Sequence, residues 1–197
     1  MAKGKSTPPG RLKICNALRL LLEDKDFSSI TISEIATTAE VTEALIYKYF
    51  HDKRDLLYDV LTEYLVEDYS RMEENLDGVN GAYNKLKKFI LYATDTWTTE
   101  RVFARILLFE ISSFSNYYKS RPYYMIKKYD NKLMEIITKG VETGEFRSDL
   151  SPAFMRLMIT GSLVYIWQRE WHQKKKTPLD KLVPDCLEYI MDGIGKG

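Results

Sequence analysis

Histidine and cysteine are scarce in this chain of 197 residues, two of each, and their placement excludes most enzyme chemistry. His51 and His172 lie in unrelated segments, and Cys15 and Cys186 stand near opposite ends. A nucleophile with its base, a zinc site or a redox pair would need such residues clustered. No Gly-rich phosphate loop is present either. The sequence therefore offers no catalytic residues, no metal ligands and no cofactor site, and an enzyme is not expected. Cysteines so isolated among apolar neighbours read as buried, reduced thiols, which implies a cytoplasmic protein. No apolar run approaches membrane-spanning length, and the N-terminus lacks the apolar stretch of a secretory signal.

Strand signals are also nearly absent. No segment sustains alternation of period two, and the few glycines and prolines sit where helices would start or stop. The expected fold is all-α. A first helix should follow Pro8-Pro9-Gly10 and end near Asp26-Phe27, with Leu12, Cys15, Leu18, Leu21 and Leu22 at helical spacing. Short helices should span Ile32 to Ala39 and Thr42 to Tyr49, and a long one about Lys53 to Asn75. Further helices are expected near 82–98, 100–115, 121–143, 152–173 and 179–194. Three parts result: a flexible basic arm over 1–10, a helix-turn-helix domain over 11–55, and a helical effector-binding and dimerisation domain over 56–197.

Net charge is only +1, so the chain as a whole is no polyanion coat. The charge is unevenly spread, however. Lys3, Lys5, Arg11, Lys13 and Arg19 precede the first acid, Glu23, as suits one end that meets a polyanion.

The segment from Thr31 to Phe50 is the most informative. Thr31 with Glu34 three positions later fits a capping box, and Thr42 caps the next helix after a tight turn at Ala39-Glu40-Val41. Ile32, Ile35, Ala36, Val41, Ile46 and Phe50 fall where a helix pair would pack on Leu18 and Leu22. Two short helices so joined make a helix-turn-helix, whose second helix enters the major groove. Taken singly these features are ordinary, since threonines cap helices in any protein and Tyr49 and Phe50 suit a core.

Together, Thr31, Ile35, Ala36, Ala39, Val41, Thr42, Ile46, Tyr47, Tyr49, Phe50, Lys53 and Leu56 resemble the signature of TetR-like transcriptional regulators. Glu40 departs from it, standing where the turn usually has glycine. The resemblance implies a regulator, expected to be a repressor, that binds a near-palindromic DNA operator as a homodimer and answers to a small effector. It also implies phosphate contacts from Thr31, Thr42, Tyr47, Lys48 and Lys53. Base contacts would fall to Glu43, Ala44 and Leu45.

Beyond Leu76 the chain is rich in aromatic residues. Most should fill the core or a subunit interface, and a subset should line a pocket between helices. Tyr92, Asp95, Trp97, Phe103, Leu107, Glu110, Phe114, Tyr124, Tyr129 and Tyr165 are the expected lining. Glu110 stands in an apolar run, where a carboxylate is either paired, with Arg105 or Arg101 for instance, or serves a cationic effector. The last two helices resemble the family's dimerisation pair, with Leu157, Gly161, Val164, Leu182, Leu187 and Ile190 as interface residues. The stretch Gly140 to Ser151 is similar to a linker in relatives, fatty-acid-responsive ones included, which implies an acyl-CoA or another apolar effector. The competing readings are a ligand carrier or enzyme with an incidental helix-turn-helix, and a protein-interaction adaptor. An enclosed cavity would favour the regulator over the adaptor, which needs an exposed apolar patch beyond the homodimer interface.

Overall fold

The computed structural model describes residues 8–172 and 179–195, and the expected all-α architecture is what it contains. Helix α1 spans Pro9–Asp24, α2 Ile32–Ala39, α3 Glu43–Tyr49 and α4 Lys53–Leu76. They are followed by α5 (Ala82–Thr99), α6 (Arg101–Arg105), α7 (Arg121–Thr143), α8 (Pro152–His172) and α9 (Leu179–Ile194). Met1 to Thr7, most of the expected basic arm, and residues 173–178, between the last two expected helices, lie outside the described residues.

Local chemistry sets the boundaries. Proline at the first helical position costs no hydrogen bond, so Pro9 and Gly10 begin α1 instead of breaking the chain before it. Glu34 N donates to Thr31 Oγ1 at 3.2 Å while Thr31 N donates to Glu34 Oε2 at 2.8 Å, closing the capping box of α2. Thr42 accepts from Leu45 N at 3.3 Å and Asp52 from Asp55 N at 2.8 Å, starting α3 and α4. Glu145, beyond the end of α7, caps α5 from a distance: Ala82 N and Tyr83 N donate to its carboxylate at 2.9 and 3.0 Å. Those bonds hold the Glu145 carboxyl below its ordinary range.

Two differences from expectation have clear causes. Gly140 to Thr143 belong to α7, not to a linker. Gly140 is buried there because the Phe146 ring folds back onto it. The helix expected over 100–115 is broken. α6 gives way to a wider π turn over Ile106–Glu110, in which Ile111 N donates to Ile106 O, and then to a tight 3-10 turn over Ile111–Ser113. The widened turn lets Ile106 and Ile111 join one core while Leu107 and Leu108 face another space.

One core gathers α1, α2, α3 and the first half of α4 with Ile106, Ile111 and Tyr117. A second joins the far end of α4 to α5, α7, α8 and α9, and a small third packs Tyr64 and Leu65 of α4 against Met125 of α7. Because α4 runs through all three, the boundary expected at residues 55 and 56 falls inside a continuous helix.

Candidate nucleic-acid interface and effector cavity

In the N-terminal unit, Ile35, Ala36, Ala39, Ile46 and Phe50 are buried against Ile14, Leu18 and Leu22 of α1. That packing fixes one face of α3 and leaves the other outward. Glu43, Ala44, Tyr47 and Lys48 are exposed on it, and Thr42 is exposed at its start. Leu45 is half-buried against the core, which leaves it less surface for a base than its neighbours have. The turn between α2 and α3 has Glu40 at φ 54° and ψ 47°, the one non-glycine residue with positive φ among those described. The substitution for glycine thus keeps the left-handed turn and accepts its strain.

Two expected phosphate ligands are committed elsewhere. The Thr31 hydroxyl serves the capping box, donating to Glu34 Oε2 at 2.9 Å. Lys53 Nζ points inward, donating to the carbonyls of Phe27 at 2.8 Å and Ile30 at 2.5 Å, and it lies 4.4 Å from the Phe27 ring centroid. These carbonyls lie in the turn between α1 and α2, where Phe27 O also accepts from Ile30 N at 3.3 Å. Lys53 is therefore a structural clamp here, and burial pulls its pKa down.

Charged side chains tie this unit to the rest. Asp59 of α4, buried, pairs with Arg11 of α1 and, at 3.0 Å, with Arg121 at the start of α7. Glu63 takes up Arg11 at 3.1 Å and Arg19 at 3.4 Å. Cys15, Asp59 and Glu63 bring ligand-type atoms together, but these guanidinium groups already balance both carboxylates. Burial, with Glu63 adding to it, raises the Cys15 thiol to about 12, so it stays protonated. Arg105 of α6 forms a second tie, donating to Asp26 at 2.7 Å and to the carbonyls of Leu22 and Lys25 at 3.2 and 3.1 Å. Its Nε lies 3.5 Å from Glu110, so Glu110 is a paired carboxylate; burial raises its pKa.

A cavity of about 270 Å³ lies between α4, α5, α7 and α8, with α6 and the π turn as a further wall. Tyr92, Trp97, Leu107 and Tyr129 line it, as expected. The other expected lining residues do not. Asp95, Tyr124 and Tyr165 are exposed, Glu110 is paired with Arg105, and Phe114 packs between Phe27 and Tyr58. Phe103 stands behind the wall, stacked on Tyr64 at 4.0 Å between centroids. Sequence reasoning missed Tyr64, Asp68 and Met72 of α4 and Leu163 of α8. Asp68 carried a readable signal, since it continues the apolar stripe of Leu57, Leu61, Tyr64 and Leu65 at helical spacing. It is buried, and its carboxylate accepts from Tyr92 Oη and Tyr129 Oη, each at 2.7 Å, and from Arg71 at 3.3 Å. Burial, then the Asp68 charge, drives the Tyr129 hydroxyl far above its ordinary pKa.

The residues expected at a subunit interface divide. Leu157 and Gly161 are exposed, in one stripe of α8 with Phe154, Met158 and Tyr165. Val164 instead lines the cavity. Leu187 and Ile190 are buried in the chain's own second core, so they present no surface to a partner. The side chain of Leu182 lies outside the described residues.

An outward-facing helix-turn-helix on an all-helical body with an apolar cavity between its helices defines a ligand-responsive DNA-binding regulator. The sequence profile of bacterial regulatory proteins of the tetR family matches residues 14–60, and that of the tetracyclin repressor-like C-terminal domain matches residues 80–193. The chain belongs to the TetR family of transcriptional regulators. It is 26% identical over 193 residues to the fatty acid metabolism regulator protein of Bacillus subtilis (strain 168), covering 96% of this chain and 98% of that one. The crystal structure of FadR from Bacillus subtilis in complex with stearoyl-CoA superposes with a TM-score of 0.81 at 26% identity, over 93% of this chain and 98% of that one. The fatty acid degradation regulator FadR from Bacillus halodurans superposes with a TM-score of 0.82 at 22% identity, over 96% and 98%, and so shares the fold.

Proposed function

We propose that this protein is a cytoplasmic repressor that binds its operator as a homodimer and lets go when a long apolar chain, delivered as an acyl thioester, fills the cavity. One observation carries the reading. Leu107 and Leu108 in the cavity wall stand two and three positions after Arg105, which holds the C-terminal end of α1. A chain that reshapes the wall thereby acts on the helix that supports α3, and differential affinity for two such arrangements is what couples effector to DNA. The stearoyl-CoA complex of the B. subtilis relative supports the effector class.

The exposed apolar stripe of α8 supports the homodimer, because uncovered apolar side chains spaced along one helix face favour burial against a copy of themselves. A dimer would also present α3 twice, at the spacing of successive major grooves. On the DNA side, Tyr47, Lys48 and the backbone at Thr42 are the proposed phosphate contacts, with Glu43 and Ala44 toward the bases. The test is a gel-shift titration on the DNA upstream of the protein's own gene. The protein is expected to form a salt-sensitive complex that palmitoyl coenzyme A dissolves and coenzyme A does not. A complex that survives saturating palmitoyl coenzyme A would defeat the proposal.

A further inference from the structure

The cavity's polar end has one sign of charge. Among its lining residues are Asp68 and Asp130, and no lysine, arginine or histidine is among them. The Asp68 side chain is only 7% exposed, so water screens its charge poorly. Arg71 balances it from outside the lining, 51% exposed and reaching one oxygen at 3.3 Å. Arg156 balances Asp130 in the same way at 3.5 Å. Tyr92 and Tyr129 spend their hydroxyl protons on Asp68. A phenol has a single proton to donate, so toward the cavity these hydroxyls offer lone pairs only. Arg71 also hydrogen-bonds Tyr92 from outside the lining, and toward the cavity Asp68, Tyr92 and Tyr129 present acceptors and no donor.

From this we infer that Asp68 is a specificity residue that bars free carboxylate anions from the cavity and admits apolar chains that are neutral or carry a hydrogen-bond donor. The inference rests on the apolar effector proposed above and narrows it: the thioester passes and the free fatty acid does not. The same carboxylate braces three helices and filters the ligand, since an incoming carboxylate would bring its acceptors against those of Asp68 and the two tyrosines, with Arg71 already engaged by Asp68 and Tyr92.

Calorimetric titration of the whole protein at pH 7.5 with dodecan-1-ol, lauroyl coenzyme A and sodium laurate tests this. The alcohol and the thioester are expected to bind, and laurate to bind more weakly than the alcohol by about tenfold or more. Asp68→Asn keeps an acceptor for the tyrosines and removes the charge. It is expected to raise laurate affinity by about tenfold while moving that of the alcohol by less than about threefold. Equal affinity of the wild-type protein for laurate and the alcohol would overturn the inference even if the variant failed to fold. So would a folded variant that discriminated as the wild type does. If none of the three ligands bound, the apolar-effector reading would fall, and this one with it.

Discussion

Glu34 serves two ends at once, closing the capping box and meeting Lys25 Nζ at 2.6 Å. Its carboxyl is held at about 2, first by the bond from Lys25 and then by those from Thr31. Because the folded value lies below the ordinary 4.5, the stabilisation is complete above about pH 4.5 and is lost as pH falls toward about 2. Urea midpoints should therefore separate the wild type from Glu34→Gln at neutral pH, and the gap should close through that acid window. Lys53 makes a contrasting case. Its Nζ donates to carbonyls inside the fold, so Lys53→Met should lower unfolding free energy by roughly 2 kcal/mol. The salt dependence of DNA binding should meanwhile keep its slope, where a lost phosphate contact would reduce it by about one. A reduced slope in filter-binding isotherms would restore Lys53 as a phosphate ligand.

Elements were legible where their signals are local. Thr31 and Thr42 cap helices through bonds spanning three residues, and such chemistry is written in the sequence itself. The π turn was not legible, because Ile106-Leu107-Leu108-Phe109 is apolar on every side and sets no helical phase. Which aromatic residues face the cavity depends on how α4, α5, α7 and α8 cross, and no local rule supplies that. Exposed Tyr124 and cavity-lining Tyr129 lie on the same helix and differ only in angular position. Close approach is again a matter of packing at Gly140, where an added Cβ would sit 2.1 Å from the Phe146 ring. The backbone beside that ring is anchored, Phe146 N bonding Gly140 O at 2.9 Å and Arg147 N bonding Ile194 O at 3.0 Å, and the ring itself is packed in the core, 1% exposed. Gly140→Ala should cost about 3 kcal/mol, read as a lowered denaturation midpoint.

For the molecule as a whole, assembly is the decisive question. Leu157 is 60% exposed in the single chain, so Leu157→Arg should leave the helical content intact. It should abolish the proposed homodimer in sedimentation analysis and weaken operator binding with it, because each α3 would then hold DNA alone. A variant that stayed dimeric would move the interface away from α8.

The last turn of α1 has no basic residue of its own. The carbonyls of Leu22, in that turn, and of Lys25, just beyond it, are satisfied by Arg105, from a helix some eighty positions further along the chain. The reading head is thus finished by a borrowed side chain, and it is not a freely exchangeable module. Cut away after α3, it should fray at that end. Grafted onto a foreign sensor, it should keep its stability only where the recipient offers a guanidinium in the same place.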